Sequence, residues 1–295
     1  MVEVPRSPLD GTVLLAAFEG WNDAGSAATQ ALAHLHEVWG AEDVDALDPE
    51  DYHDFQVTRP MVTTDVDGSR TLSWPTTSVS VATRPVAGTP IVLVQGVEPS
   101  MRWRSFCGEV LDIAERLGVD TVVTLGALLA DVPHTRPIPV TATSDDPRVQ
   151  SALGIHASSY EGPTGIVGVL QHEAARRGMR ALSLWGAVPH YVAHPPSPKA
   201  TLALLSRLEE LLAEPVPSGE LPEDAEAWQR GVDELAEEDT EVAEYVAQLE
   251  EAKDTAELPE ATGEAIAREF ERYLRRRDPD PGPDQGPQPG PPGER

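Results

Sequence analysis

Cysteine and lysine are close to absent from this chain. One cysteine, Cys107, and two lysines, Lys199 and Lys253, stand among 295 residues. A lone cysteine excludes an internal disulfide and suits a reducing compartment. Lys and Arg together number 22 against 50 Asp and Glu, a formal net charge of −28. That balance argues against a nucleic-acid partner, which needs its phosphates neutralised, and the same repulsion disfavours an anionic membrane surface. No stretch approaches the roughly 18 apolar residues of a membrane span. Met1 to Asp10 is mixed polar with two prolines, so no secretory signal is expected there. The expectation is a soluble, cytoplasmic protein. Gly-x-Ser-x-Gly elbows, Walker phosphate loops and zinc-type cysteine clusters are missing too, and no catalytic residue, metal site or cofactor is assigned.

What is present is an alternation of apolar strands and amphipathic helices. Hydrophobic residues make up 40% of the chain, enough to bury a substantial core. Thr12 to Phe18 is a continuous apolar run, the pattern of a strand covered on both faces. Asn22 or Asp23 can cap a helix running to about Trp39, with Gly40 as its stop. Asp43 to Leu47 predicts a short strand. Gln56 to Arg84 predicts a hairpin, turning at Asp67-Gly68 and returning over Thr71 to Val81. A second unit has a buried strand at Pro90 to Gly96, a helix capped at Ser100 and ending at Gly118, and a strand at Asp120 to Leu125. Leu128 to Pro163 reads as a long, irregular, Pro-rich crossing whose length calls for some local structure or a binding role. In the third unit Thr164 caps a helix ending near Gly178, Arg180 to Val188 is a strand, and Ser197-Pro198 starts a helix running to about Ala213. Strand–helix alternation of this kind implies a mostly parallel sheet with helices on both faces.

After Pro215 the character changes. Acids dominate Glu220 to Glu264, with only Arg230 and Lys253 positive. Leu235, Val242, Val246 and Leu249 recur at helical spacing, and Ile266, Phe270, Tyr273 and Leu274 form a second stripe. The expected organisation is an α/β core over 1–215, an acidic helical appendage over 216–277, and a disordered Pro/Gly-rich tail over 278–295. The charge reads either as the solvated face of the helices or as a docking surface for a basic partner.

Several motifs have ordinary explanations. Gly162, Gly165 and Gly168 form a Gly-x-x-Gly-x-x-Gly string that does not follow a strand, so helix packing explains it better than a dinucleotide. His190 and His194 have a zinc-like spacing, but Pro189, Pro195 and Pro196 oppose the helix that would bring them together. Cys107 sits in an amphipathic helix without a nearby histidine partner. The informative feature is positional, because loops leaving the carboxyl ends of parallel strands gather at one edge, where ligands bind. Those loops supply Glu19, Asp23, Glu98, Asp131, His134, Arg136, His190, Tyr191 and His194. They can line a pocket or form a rigid polar rim. The turn Glu19-Gly20-Trp21-Asn22-Asp23-Ala24-Gly25 also has a purely structural reading, with two glycines for tight geometry and Asn22 or Asp23 satisfying free helix amides.

That turn, followed by Gly126-Ala127-Leu128, Pro133-His134-Thr135-Arg136, Tyr160 to Gly165 and Trp185 to Tyr191, resembles the proteasome assembly chaperone 2 family over roughly residues 10–213. The resemblance implies a three-layer α/β/α sandwich similar to nucleoside phosphorylases, assembled as a homo-oligomer and plausibly a trimer. It also implies a protein partner, with proteasome subunits the first candidates. The binding residues it directs attention to are Glu19, Gly20, Trp21, Asn22, Asp23, His134, Arg136, His190 and Tyr191. Some archaeal relatives dock through a hydrophobic-Tyr-any tail; Pro292-Gly293-Glu294-Arg295 lacks it, so docking by that route is not expected. The expected function is a non-enzymatic protein-binding factor, and the alternative is a nucleoside-like small-molecule binder or enzyme using the carboxyl-edge cleft.

Overall fold

The computed structural model describes residues 9–257. The stripe of Ile266, Phe270, Tyr273 and Leu274 and the tail from 278 onward lie outside the described residues. The chain divides into Met1–Glu250 and Glu251–Arg295. The elements below belong to the first unit, apart from the end of the last helix.

Strand β1 (Thr12–Glu19) organises the molecule. Its side chains alternate between two cores: Val13, Leu15 and Ala17 face one, and Leu14, Ala16 and Phe18 face the other. A strand apolar on both faces must be covered on both. Helices α1 (Ala27–Val38) and α6 (Pro198–Leu212) cover the first face, and α3 (Trp103–Arg116) and α5 (Ile166–Arg176) the second. Each large side chain buried this way stabilises the fold by about 1.5–3 kcal/mol. The result is the three-layer α/β/α sandwich that the resemblance implies, with helices on both faces of the sheet as the alternation predicts.

Seven strands make up the central sheet, in the order β2 (Glu42–Leu47), β5 (Thr77–Thr83), β6 (Pro90–Val97), β1, β7 (Val119–Ala130), β9 (Arg180–Pro189) and β8 (Val140–Thr143). The four central strands β6, β1, β7 and β9 run parallel. β5 and β8 reverse direction at either side. Glu19 pairs with Val97, so the ends of β1 and β6 stand side by side at the carboxyl edge. At the opposite edge, buried Arg84 pairs with Glu214 at 3.2 Å. Its other donors reach the carbonyls of Leu9 and Leu212, so the ion pair is buried with its hydrogen bonds made, as burial of charge requires.

Two local expectations are corrected. The hairpin return is not continuous: β3 (Met61–Thr64) pairs with β4 (Arg70–Ser73) as a separate two-stranded sheet. The chain breaks at Trp74-Pro75-Thr76, and only then does β5 join the main sheet. The crossing after Leu128 carries the local structure that its length calls for. β7 continues to Ala130, β8 adds an edge strand, and Asp146 caps α4 (Pro147–Leu153) through the Arg148 amide at 2.8 Å. Ser100 and Thr164 are not the caps. α3 starts after Arg102 in a left-handed conformation, and α5 starts after Gly165.

Beyond α6, α7 (Leu221–Glu238) packs against it and α8 (Thr240–Glu257) follows. A short helix α2 (Pro49–Tyr52) and two single-turn 3-10 helices, Ala24–Ser26 and His190–Val192, complete the described elements. No helix among the described residues is long and apolar enough to cross a membrane.

Candidate functional site

The carboxyl edge holds two polar clusters. The first is the turn after β1. Asn22 is 2% exposed. Its carbonyl accepts from the Ala127 amide at 2.7 Å, tying the turn to β7. Its Nδ2 donates to Glu98 Oε1 at 2.7 Å, and the same oxygen accepts from the Ile166 amide at 2.9 Å. One carboxylate thus secures Asn22 and caps α5 where the helix amides lack partners. Gly165 makes room for this: a Cβ there would lie 2.2 Å from Asn22 Oδ1. Asp23 caps α1, accepting from the Ala28 amide at 2.7 Å and from the Thr29 hydroxyl. Gly25, at φ 61°, accepts from the Ser197 amide through its carbonyl at 2.8 Å, and a Cβ at Gly25 would meet Ser197 Cβ at 2.6 Å. Burial raises the pKa of Asp23, with the Thr29 and Ala28 hydrogen bonds opposing it.

Two residues of the turn look outward. Trp21 is 70% exposed. Glu19 lines a polar cleft of about 380 Å³ with His36, Asp43, Thr76, Ser78 and Gln95. Its pKa is raised by partial burial and then by the neighbouring Asp23 charge.

The second cluster joins the loops after β7 and β9. His134 is 1% exposed. The Tyr191 hydroxyl accepts from the His134 amide and meets His134 Nδ1, each at 2.7 Å, while His134 Nε2 lies 2.9 Å from Asp233 of α7. The Asp233 carboxylate only accepts, so Nε2 donates to it, and in the neutral ring Nδ1 then accepts the Tyr191 hydroxyl proton. Burial pushes the Tyr191 hydroxyl up to about 12, which keeps that proton in place. Lys199 donates to the His134 carbonyl and, at 2.6 Å, to Gln229 of α7. Burial lowers its pKa, with Asp233 opposing. Arg136 reaches Glu250 of α8 at 3.2 Å, and Thr135 donates to the same carboxylate. His190 stacks edge-on against Tyr191 and Tyr245, ring centroids 5.8 and 5.3 Å away. Its Nδ1 lies 3.3 Å from Asp131.

The structure therefore gathers Glu19, Gly20, Trp21, Asn22 and Asp23 in one place and His134, Arg136, His190 and Tyr191 in another. Asp233, Glu250, Gln229 and Lys199 were not anticipated. They come from helices distant in sequence, and their one local signal is polar residues set beside the apolar stripes, Asp233 next to Val232 and Glu250 next to Leu249. Among the described residues no group of three or more His, Cys, Asp or Glu side chains is arranged to hold a metal ion. Cys107 is buried, and its thiol is pushed up to about 12 by burial and by Glu173.

Comparison with known proteins gives the lineage of this arrangement. A PAC2 family protein from Streptomyces avermitilis is 57% identical, covering 80% of this chain and 99% of its own, with a TM-score of 0.73. A proteasome-assembly chaperone homologue from Mycobacterium tuberculosis is 51% identical, covering 79% and 99%, with a TM-score of 0.72. An archaeal homologue of proteasome-assembly chaperone from Pyrococcus furiosus shares the fold at 17% identity, covering 85% and 98%, with a TM-score of 0.54. No curated protein matches the chain. The profile of the PAC2 family matches residues 17–236, which takes in the turn after β1, the loops after β7 and β9 and most of α7. By that match, and by its identity to the Streptomyces and Mycobacterium proteins, this chain belongs to the PAC2 family.

Proposed function

We propose that the protein is a non-enzymatic protein-binding factor of the proteasome-assembly-chaperone type, working in the cytoplasm as a homo-oligomer, plausibly a trimer. Proteasome subunits are the first candidate partners. One observation carries the reading. Asn22 and Asp23 turn their side chains inward into hydrogen bonds, whereas Trp21 and apolar side chains of neighbouring loops are exposed. Trp21 is 70% exposed, Leu128 44%, Leu129 50% and Tyr160 64%. All four lie at the carboxyl edge. Leu128 follows Ala127, which is bonded to Asn22. The Tyr160 hydroxyl donates to the Pro163 carbonyl at 2.9 Å, two residues before the glycine that abuts Asn22. Exposed apolar residues along one edge, an aromatic anchor among them, suit protein recognition. The net charge of −28 further disfavours nucleic acid and anionic membrane as partners.

In this reading Trp21 is the contact residue, Glu19 and Gly20 shape its approach, and Asn22 and Asp23 hold it in place. His134, Arg136, His190 and Tyr191 fix the acidic arm beyond 215 to the 1–215 core. Relatives described as proteasome-assembly chaperone homologues support the partner class. The test is binding to purified proteasome subunits of the same host, measured for the full chain and for Trp21→Ala. The variant should lose about tenfold or more in affinity, as for a buried aromatic anchor, with an unchanged melting midpoint. Equal binding by both would overturn the assignment to this edge. A nucleoside-like ligand in the Glu19 cleft makes a different prediction, a rise in midpoint with added nucleoside; the protein-binding reading expects none.

A further inference from the structure

The acidic helices carry a surface that the core does not account for. α7 and α8 meet at Asp239, whose carboxylate accepts from the Glu241 amide at 2.9 Å and caps α8. Between these helices and the 190–192 turn lies a groove of about 430 Å³, a size typical of ligand-binding clefts. Its apolar walls are Tyr191, Val192, Val232, Leu235 and Val242, and exposed Glu238 and Asp239 complete the lining. Leu235 is 59% exposed, while Val232 beneath it is buried at 4%. One wall is preset, because the Tyr191 hydroxyl is bonded to both the amide and the ring of His134.

The surroundings define the occupant. No Lys or Arg occurs between Arg230 and Lys253, whereas Glu234, Glu237, Glu238, Asp239, Glu241 and Glu244 all fall there and all are exposed. An acidic segment would be repelled, and a wholly apolar one would strip water from carboxylates without compensation. A segment with one apolar and one cationic face satisfies both requirements, in the helix-in-groove mode. A second copy brings another net charge of −28 and the same acidic helices, so it is a poor match.

We infer that this groove docks a basic amphipathic segment of a partner protein, with its apolar side chains against Leu235 and Tyr191 and its cations facing the carboxylates of residues 234–244. The inference rests on the protein-binding reading and adds to it a second surface, separate from Trp21, and the chemistry of what binds there.

The probe is a fluorescently labelled helical peptide of about 14 residues, four turns of leucine and lysine at i, i+3, i+4 spacing. Its comparators are the glutamate-for-lysine counterpart and a scrambled lysine–leucine peptide. The full chain should bind the basic amphipathic peptide most tightly, the scrambled one less and the acidic one not at all. Leu235→Asp should weaken binding about tenfold or more. The triple variant Glu234→Gln, Glu237→Gln, Glu238→Gln should weaken it and flatten its salt dependence. All four positions are exposed, so both variants should keep the wild-type melting midpoint, and the triple variant carries the test if Leu235→Asp does not fold. Trp21→Ala should bind the peptide normally. Failure of the basic peptide to bind, or equal binding by wild type, Leu235→Asp and the scrambled control, would overturn the inference. So would a sedimentation-measured self-association that Leu235→Asp abolishes, since the occupant would then be a second copy. If the peptide fails while subunit binding through Trp21 persists, this docking alone falls; if both fail, the protein-binding reading falls with it.

Discussion

The two polar clusters at the carboxyl edge contain similar residue types and perform different work. The Glu19–Gly25 turn sits at the end of the central strand, and its bonds run to Glu98 just after β6, to β7, to α1 and to the start of α6, while Glu98 in turn caps α5. The His134–Tyr191 cluster sits farther out, and its bonds to α7 and α8 run between side chains whose partners are partly open to water: Asp233 is 44% exposed and Glu250 30%. Buried bonds to otherwise unpaired amides are costly to break, whereas half-exposed pairs contribute little. The turn is thus a keystone of the fold, and the outer cluster is a latch for the acidic helices. A list of Asn, Asp, His and Tyr at strand ends does not distinguish the two; their hydrogen-bond partners do.

Substitution can sharpen that contrast. The largest effect is expected at Gly165→Ala, where the added Cβ would collide with the buried Asn22 side chain and break its bond to Glu98. A loss of about 2–3 kcal/mol in urea unfolding is expected from overpacking with a lost bond. Asp23→Ala removes the α1 cap and should cost about 1–2 kcal/mol by the same measurement. Asp233→Ala releases one side of the latch and should cost only about 0.5–1 kcal/mol globally. Its signature is local: amide exchange should quicken in α7 while the β1 amides stay protected. Faster exchange in β1 as well would break the distinction between keystone and latch.

The smallest effect is a dependence on pH. Glu19 and Asp23 have folded pKa values raised above 4.5 and 3.8. A raised acid binds its proton more tightly when folded, so its contribution is complete below the unfolded pKa and is lost as pH rises through the folded one. Stability should therefore increase as pH falls from neutrality towards those values. Glu19→Gln and Asp23→Asn should each flatten the rise relative to wild type, which separates these two groups from the general relief of a highly acidic chain.

Much of this architecture is legible in the sequence, and the exceptions share a cause. β1 is a continuous apolar run and β6 and β9 are mostly apolar, so their burial on both faces is written in their composition. β8 is four mostly half-buried residues, Val140–Thr143, and is a strand because β9 offers it an edge. The cap of α5 is Glu98, 68 residues before Ile166, so no local rule could choose it over Thr164. The expected hairpin runs past its true end because Thr77 to Thr83 alternates as a hairpin strand would, yet its partners are β6 and β2. At the site, the turn could be read from its own residues. The latch could not, since Asp233, Gln229 and Glu250 reach it only through the packing of α7 and α8.

The central claim is that the carboxyl edge around Trp21 binds protein. A photo-crosslinking residue in place of Trp21, in the full chain expressed in its native host, tests it directly, with the same residue at Val86, which is 50% exposed at the β5–β6 turn of the opposite edge, as control. The account predicts a crosslink to a defined protein partner, with proteasome subunits the first expected, from position 21 and not from position 86. No protein adduct at position 21, or the same adducts from both positions, would contradict it.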